Sequence, residues 1–155
     1  MNIREMCDGD LLQVLELEES LFSSEAWDRE GFLYELHDNP YAMIYVAVDA
    51  DKIIGFVDLW IMYDQAQIAD IAVGREYQKK GIGQQLMYKA VAEAVKKQCD
   101  VMSLEVRVSN EKAIALYKKN DFINAGLRKK YYADGEDAVL MVKPLGGLND
   151  TDISN

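Results

Sequence analysis

Residues that bind metals or form disulfides are scarce in this sequence. Its 155 residues include two cysteines and one histidine. Cys7 and Cys99 are far apart and form no C-x-x-C pair, so we expect buried or free thiols in a reducing compartment. A single histidine without a cysteine cluster excludes the usual zinc sites, and we interpret His37, near a predicted helix end, as structural. We therefore expect no metal cofactor.

Long apolar runs are also absent. No stretch is long enough to span a bilayer, and the N-terminus lacks a basic segment followed by an apolar one. These absences predict a cytoplasmic protein without a membrane partner. The length fits one domain, and a hydrophobic content of 50% is typical of soluble globular proteins. We expect the domain to span residues 1–143 and residues 144–155 to form a flexible tail.

Basic residues are outnumbered by acidic ones. The chain has 27 acidic and 17 basic residues, which gives a net charge of -10. Such a surface repels a nucleic-acid backbone, so we expect no direct nucleic-acid partner. It favours cationic partners such as basic peptides. An acidic surface that serves only solubility is the alternative explanation.

The pattern of apolar residues predicts an α/β fold with a mixed sheet. Asp8 and Asp10 offer N-cap oxygens to a first helix, and Asp28 caps a second, shorter one. Asn110 caps the helix that follows the fifth strand, and Asp134-Gly135 marks the turn of a final hairpin. The predicted order of elements is β-α-α-β-β-β-α-β-α-β-β.

A glycine-rich loop joins a predicted strand to a helix in the middle of the chain. The strand covers residues 68–73, and the helix begins near Gly81 and Gly83. The first N–H groups of a helix have no acceptor within it, and the dipole adds about half a positive charge there. Because glycine lets a ligand approach the backbone, this arrangement suits a phosphate group. A tight turn that happens to contain glycine is the alternative.

The residues around these glycines disfavour two common nucleotide motifs. A P-loop ends in Gly-Lys-Ser/Thr, whereas Gln84 follows Gly83. A dinucleotide-binding loop has a third glycine at the position that Leu86 occupies. ATP or GTP hydrolysis and NAD binding are therefore disfavoured, and a pyrophosphate held mainly by backbone groups remains.

Glu105 and Tyr117 are candidate catalytic residues. Glu105 interrupts an apolar strand, and burying a carboxylate is costly. Solvent exposure or pairing with Arg107 would explain this carboxylate. The other explanation is a general base beside a phenol that can donate a proton. Asn110 and Tyr117, seven residues apart, lie on nearly the same face of their predicted helix.

Several segments resemble known acetyltransferases. The motif Gln78-x-x-Gly81-x-Gly83 resembles the acetyl-CoA pyrophosphate loop of the GNAT superfamily, and residues 110–117 with Phe122 resemble the helix and helix exit that follow in that superfamily. Three further segments resemble, more narrowly, the ribosomal-protein-alanine N-acetyltransferase (RimI) family: residues 104–110, the Trp27 loop and residues 131–138. The last segment is also similar to catalytic subunits of eukaryotic and archaeal N-terminal acetyltransferases. The resemblance covers residues 1–143.

The resemblance implies a GNAT-type fold, acetyl-CoA as cosubstrate and roles for individual residues. Glu105 would be the general base, acting through water, and Tyr117 the acid that protonates the departing CoA thiolate. The N–H of Val73 would polarise the thioester carbonyl. Aromatic side chains would line the peptide groove: Trp27, Tyr131 and Tyr132. The implied cofactor-binding residues contact the pantetheine arm, the pyrophosphate or the amide arm: Ile71, Ala72, Val73, Gln78, Lys79, Lys80, Gly81, Ile82, Gly83, Gln84, Asn110 and Tyr117.

Two positions depart from the family pattern. Asp121 stands where glycine usually precedes the phenylalanine at the helix exit. Aspartate tolerates a left-handed backbone better than most residues, so we expect a small local cost. Ala26 replaces the proline that usually precedes the tryptophan, which leaves this loop less constrained.

The chemistry favours an N-terminal amine as acceptor. An amine attacks a thioester only when neutral, and the α-amine has a pKa of about 7.7–8.0 against about 10.4 for lysine. We therefore expect an N-α-acetyltransferase that works by direct attack in a ternary complex. The resemblance implies a small-subunit ribosomal protein with N-terminal alanine as acceptor, and we expect a monomer or weak homodimer. The alternatives are acetylation of lysine side chains or of a small amine, and a non-catalytic CoA-binding module.

Overall fold

The structure, a computed structural model, describes residues 1–146. Within this range, seven strands and four α-helices follow one another in the predicted order. The strands are β1 (Asn2–Glu5), β2 (Ala42–Asp49), β3 (Lys52–Met62), β4 (Gln65–Val73), β5 (Val101–Arg107), β6 (Ile123–Arg128) and β7 (Ala138–Pro144). The helices are α1 (Leu11–Phe22), α2 (Arg29–Leu33), which continues into a π-helical turn (Tyr34–Asp38), α3 (Ile82–Lys96) and α4 (Glu111–Lys119).

The strands form one mixed sheet in the order β1-β2-β3-β4-β5-β7-β6. β4 and β5 pair in parallel through residues 65–67 and 101–103. The pairs β1–β2, β2–β3, β5–β7 and β6–β7 are antiparallel. The predicted mixed α/β sheet is therefore confirmed, and β1 is an edge strand as expected. The chain forms two compact units: residues 1–60 with 68–90, and residues 61–67 with the described part of 91–155.

The core of the first unit lies between its helices and its strands. Its side chains without exposed surface include Val14, Phe32, Val46 and Phe56. Gly55 in β3 allows close packing in the same unit. A Cβ at Gly55 would lie 2.9 Å from the carbonyl oxygen of Ala72 in β4 and 3.2 Å from Cδ1 of Leu86 in α3. A larger residue at this position would force β4 or α3 to move.

The predicted N-caps of α2 and α4 are confirmed, whereas the side-chain cap predicted for α1 is wrong. Asp28 accepts a hydrogen bond from a backbone N–H of the first turn of α2, and Asn110 does the same in α4. Asp10 occupies the N-cap position of α1 but makes no such bond. Its carboxylate instead accepts hydrogen bonds of 2.7 and 2.9 Å from Arg4 and one of 2.9 Å from the Cys7 N–H. The guanidinium fork binds the carboxylate more strongly than a single amide does.

The second unit contains β5, β7, β6 and α4. β5 alternates between buried and half-buried residues, which is the pattern of a strand with one face in the core. The chain after β7 is attached to the start of β5, because the Asp100 carbonyl accepts hydrogen bonds from Leu145 and Gly146. Pro144 ends β7 and Leu145 is buried. The remainder of the predicted tail, residues 147–155, lies outside the described residues.

The two cysteines differ in accessibility. Both are free thiols, Cys7 being exposed and Cys99 buried. His37 lies 2.9 Å from the Asp8 carboxylate, an ion pair when the imidazole is protonated. Among the described residues, no helix is both long enough and apolar enough to cross a bilayer.

Candidate active site

The glycine-rich loop of the first unit runs from the end of β4 to the start of α3. A 3-10 turn at Arg75–Tyr77 follows Gly74. Gly81 has a φ of 82°. A Cβ there would meet no atom within 4 Å, so the side of this residue is open. The left-handed backbone explains why glycine is needed, since other residues are strained in this conformation.

The start of α3 presents backbone donors. The first hydrogen bond of this helix runs from the Gln85 N–H to the Gly81 carbonyl, at 3.1 Å. No backbone hydrogen bond found within residues 1–146 is donated by Gly81, Ile82 or Gly83. Donors of this kind, at the positive end of a helix dipole, bind anions. The geometry of the loop therefore suits a phosphate group.

Two side chains of the loop are engaged within the first unit. The Gln78 amide donates a 3.0 Å hydrogen bond to the Val73 carbonyl, which ties the loop to the end of β4. The Lys80 ammonium lies 5.6 Å from the centre of the Tyr77 ring, and Lys52 lies 5.4 Å from the same centre. These cation–π contacts leave local positive charge beside the loop in an otherwise acidic protein.

Trp27 packs on the core of the first unit and keeps part of its surface exposed. Its ring lies 5.5 Å from the ring of Phe32, and its backbone N–H donates a 2.9 Å hydrogen bond to the Glu18 carboxylate. Trp27 thus packs on the core and still has exposed surface, which is compatible with the predicted place in a peptide groove. Glu18 fixes the loop that Ala26 leaves without a proline.

Three buried carboxyl groups in the first unit, and one that is half-buried, were not expected from the sequence: Glu18, Glu35 and Asp58, and the half-buried Asp70. Glu35 accepts hydrogen bonds from the Trp60 indole and from Asn39. Burial, followed by the neighbouring Glu35, raises the pKa of Asp58 to about 10. Burial and Glu18 likewise raise the pKa of Asp70.

These carboxyl groups do not form a metal site. Within residues 1–146, no group of three or more histidine, cysteine, aspartate or glutamate residues could hold a metal ion. Asp58 and Asp70 lie in strands that pair on both sides, a position in the sheet that no local sequence pattern indicates. Acidic residues in central strands of a sheet are rarely solvated.

Glu105 of the second unit is shielded from water. It alternates with the buried Leu104 and Val106 in β5, and its side chain is 13% exposed. The Nε of Arg128 in β6 lies 3.8 Å from its carboxylate. Arg107, the partner considered from the sequence, binds the carboxylates of Asp134 and Glu136. Glu105 and Arg107 lie two residues apart on one strand but have different charged partners. Glu105 lies near Arg128 of β6, and Arg107 binds carboxylates of the segment that follows β6.

Tyr131 is the polar neighbour of Glu105. Burial raises the pKa of Tyr131, and the charge of Glu105 raises that pKa further. The Tyr131 and Tyr132 rings meet edge to face at 5.0 Å. Burial raises the pKa of Tyr132 to about 12. Two of the residues predicted to line the acceptor groove therefore pack on each other, and the charge of the candidate base acts on both.

Tyr117 is held firmly in α4. It is 6% exposed, and its ring packs against Phe122 with centres 5.8 Å apart. Asn110, seven residues before it, accepts the Ala113 N–H at 3.2 Å. Asp121, at the exit of this helix, has a φ of 68°, so the left-handed conformation expected there is present.

Comparison with known proteins identifies the family. Residues 11–122 match the profile of the acetyltransferase (GNAT) family. The chain belongs to the acetyltransferase (GNAT) family. The predicted GNAT-type fold and the predicted class of enzyme, an acetyl-CoA-dependent N-acetyltransferase, are thereby confirmed.

Two proteins and one crystal structure within this family are similar to the chain over most of its length. A Bacillus subtilis (strain 168) protein provisionally named ribosomal protein bS18-alanine N-acetyltransferase is 41% identical over 140 residues, covering 90% of this chain and 92% of that protein. An N-alpha-acetyltransferase of Saccharolobus solfataricus is 34% identical, covering 74% of this chain and 77% of the relative. The crystal structure of the ribosomal-protein-S18-alanine N-acetyltransferase from Escherichia coli superposes with a TM-score of 0.83 at 29% identity, over 93% of each chain.

Proposed function

We propose that the protein transfers the acetyl group of acetyl-CoA to the N-terminal amine of another protein, a small-subunit ribosomal protein that begins with alanine. The environment of Glu105 carries this proposal. Its carboxylate is 13% exposed and lies 3.8 Å from the Arg128 Nε, and its charge adds to burial in raising the pKa of Tyr131. A carboxylate held in this way is suited to accept a proton from an amine. The names of the Bacillus and Escherichia relatives support the acceptor.

An N-terminal amine suits a single carboxylate base. With a pKa of about 7.7–8.0, a useful fraction of an α-amine is neutral near physiological pH, whereas lysine, at about 10.4, needs far more assistance. The net charge of -10 also favours a basic N-terminal segment. Such an acceptor implies a cytoplasmic enzyme, whose catalytic domain we assign to residues 1–143.

The loop before α3 fits the pyrophosphate of acetyl-CoA. The N–H groups of Ile82 and Gly83 precede the first hydrogen bond of the helix, and the open side of Gly81 leaves room for phosphate oxygens. Lys80 adds positive charge at this point. When bound, acetyl-CoA supplies a thioester carbon that an amine can attack. We assign residues 71–73 to the pantetheine arm and Asn110 to the amide arm.

Glu105 and Tyr117 handle the two protons of the reaction. As the bond from the amine nitrogen to the acetyl carbon forms, Glu105 takes the amine proton through water. As the bond from that carbon to sulfur breaks, the Tyr117 hydroxyl gives a proton to the thiolate. The packing of Tyr117 on Phe122 limits the positions that its hydroxyl can take.

Two substitutions test these roles. Glu105→Gln and Tyr117→Phe remove one proton acceptor and one donor with little change in side-chain shape. We expect kcat on an alanine-initiated peptide to fall by about 10²–10⁴-fold in each variant, with the Kd of acetyl-CoA retained. Steady-state kinetics and calorimetry measure the two quantities. Glu16→Gln and Tyr88→Phe, at exposed positions, are the matched controls.

The choice of peptide tests the acceptor. The same peptide with a blocked N-terminus and an internal lysine should not be acetylated. Turnover of that blocked peptide would favour lysine acetylation, and wild-type rates in both variants would remove Glu105 and Tyr117 from the mechanism. Binding of acetyl-CoA without turnover of any amine would identify a CoA-binding module.

A further inference from the structure

Arg107 holds the segment between β6 and β7 against the end of β5. Its Nη1 donates hydrogen bonds of 2.6 Å to Glu136 and 2.9 Å to Asp134. The guanidinium also lies 4.1 Å from the centre of the Tyr132 ring. The Arg107 side chain is 22% exposed, so these interactions are partly shielded from water. One side chain thus binds three residues of a single connecting segment.

A second set of hydrogen bonds fixes the same segment, residues 129–137, to the chain that enters α4. The other carboxylate oxygen of Glu136 accepts the Ser109 N–H at 3.0 Å. The Val108 N–H donates to the Asp137 carbonyl at 3.2 Å. Hydrogen bonds from Ser109 and Arg107 lower the pKa of Glu136, which keeps it ionised. Glu136 therefore links Arg107 to the residue that precedes the N-cap of α4.

The contacts continue from Arg107 to the candidate base. Arg107 stacks on Tyr132, and Tyr132 meets Tyr131 edge to face at 5.0 Å. Tyr131 lies close enough to Glu105 for the charge of that carboxylate to add to burial in raising the Tyr131 pKa. Glu105 lies two residues from Arg107 on the same face of β5, so the interactions that begin at Arg107 lead back to the same strand. Planar stacking and forked donation are properties of arginine that lysine lacks.

We propose that Arg107 is a positioning residue, which sets Tyr131 against the Glu105 carboxylate through the segment 129–137. This inference rests on the proposed function, because it assigns Glu105 as the base. Arg107 itself donates to carboxylates of its own chain and acts on the acceptor amine only through the tyrosines. Its loss should therefore impair turnover of the peptide while the affinity for acetyl-CoA stays as in the wild type.

The experiment is a double-mutant cycle between Arg107 and Tyr131. We expect Arg107→Met to lower kcat/KM for an alanine-initiated peptide by about 10²-fold, the scale of a misplaced catalytic group, with the acetyl-CoA Kd unchanged. Tyr131→Phe removes the hydroxyl whose pKa the Glu105 charge helps to raise. Adding Arg107→Met to Tyr131→Phe should lower kcat/KM by no more than about twofold further, because both act on one contact. Lys97→Met, which removes an exposed cation of the same unit, is the control.

Three outcomes overturn the inference. The first is a folded Arg107→Met variant with the kcat/KM of the wild type. The second is a double variant whose loss of kcat/KM equals the product of the losses in the two single variants. If Arg107→Met does not fold, Glu136→Gln replaces it, since glutamine can still accept the Ser109 N–H, and we expect about a tenfold loss. A folded Glu136→Gln with unchanged kinetics is the third contrary outcome. An inactive wild type refutes the proposed function itself, and a fully active Glu105→Gln refutes the assignment of Glu105 as the base. An active wild type with unaffected Arg107 variants refutes only the role of Arg107.

Discussion

Asp58 shows how burial changes a single residue. Its side chain has no exposed surface, and the desolvation of the charged form raises its pKa to about 10. Glu35 and Asp70 add repulsion of like charge. At neutral pH Asp58 is therefore a neutral acid that can donate a hydrogen bond, and Glu35 can remain the acceptor for Trp60 and Asn39. Some of these acids are protonated and therefore uncharged, which lowers the cost of burying them.

This protonation predicts an unusual dependence of stability on pH. Because the folded pKa of Asp58 exceeds the unfolded value of about 3.9, the folded state binds more protons, and the free energy of unfolding falls as pH rises above that value, by up to about 1.4 kcal/mol per pH unit. We expect the wild-type Tm to fall between about pH 6 and pH 9. Asp58→Asn, permanently neutral, should fall less steeply. Thermal unfolding across this range measures both slopes, with Glu16→Gln as the control; equal slopes would mean that Asp58 does not titrate there.

At the scale of elements, the order of strands and helices could be predicted from the sequence, because it depends on local patterns. Asp28 and Asn110 act as caps within three residues of their partners, and the periodicity of α3 and the alternation of β5 are equally local. The cap at Asp10 was mispredicted because Arg4, on a different element, competes for its carboxylate.

The partners of Glu105 could not be predicted in the same way. Arg128 comes from β6, and its distance to Glu105 depends on the antiparallel registers of β7 with both β5 and β6, including a shift between Asn124 and Gly126. No local pattern fixes those registers. The burial of Asp58 and Asp70 depends in the same way on which elements cover the sheet.

The exit of α4 offers a test at the scale of an element. Asp121 adopts a φ of 68°, and its side chain is 90% exposed, with Lys143 at 3.9 Å. Glycine adopts this conformation without strain, whereas in other residues the strain destabilises the folded state by about 1–2 kcal/mol. Part of this gain is offset in a glycine variant, because glycine also makes the unfolded chain more flexible. We expect Asp121→Gly to raise the free energy of unfolding by about 0.5 kcal/mol, since an exposed ion pair contributes little.

Chemical denaturation measures this change. Lys119→Gly, inside the last turn of α4, is the contrasting variant and should lower the free energy of unfolding by about 1 kcal/mol. A loss of stability in Asp121→Gly would indicate that the aspartate side chain stabilises the helix exit by more than its backbone strain costs.

For the whole molecule, the excess of acidic residues determines which charged partners it attracts. A net charge of -10 attracts basic peptides over distances comparable to the Debye length, about 10 Å at 0.1 M salt. For the whole molecule, the fold class could be predicted from the sequence. The order of strands in the sheet could not, because it depends on pairing between distant segments.

Salt should therefore weaken recognition of a basic acceptor. We expect KM for an alanine-initiated peptide carrying several lysines to rise several-fold between about 50 and 500 mM NaCl, while kcat changes little. The same peptide with glutamine at those positions should show a much flatter response. Steady-state kinetics with both peptides provides the comparison, and parallel curves would show that the surface charge has no part in acceptor binding.

The different environments of the two thiols allow one of them to be labelled selectively for measurements of peptide binding. Cys7 is exposed, whereas Cys99 is buried, and burial together with Asp64 and Asp100 raises the pKa of Cys99. A maleimide dye at neutral pH should therefore attach to Cys7 in preference to Cys99. The natural chain can then carry one fluorophore, just after β1, and report peptide binding by anisotropy or quenching without any engineered attachment point.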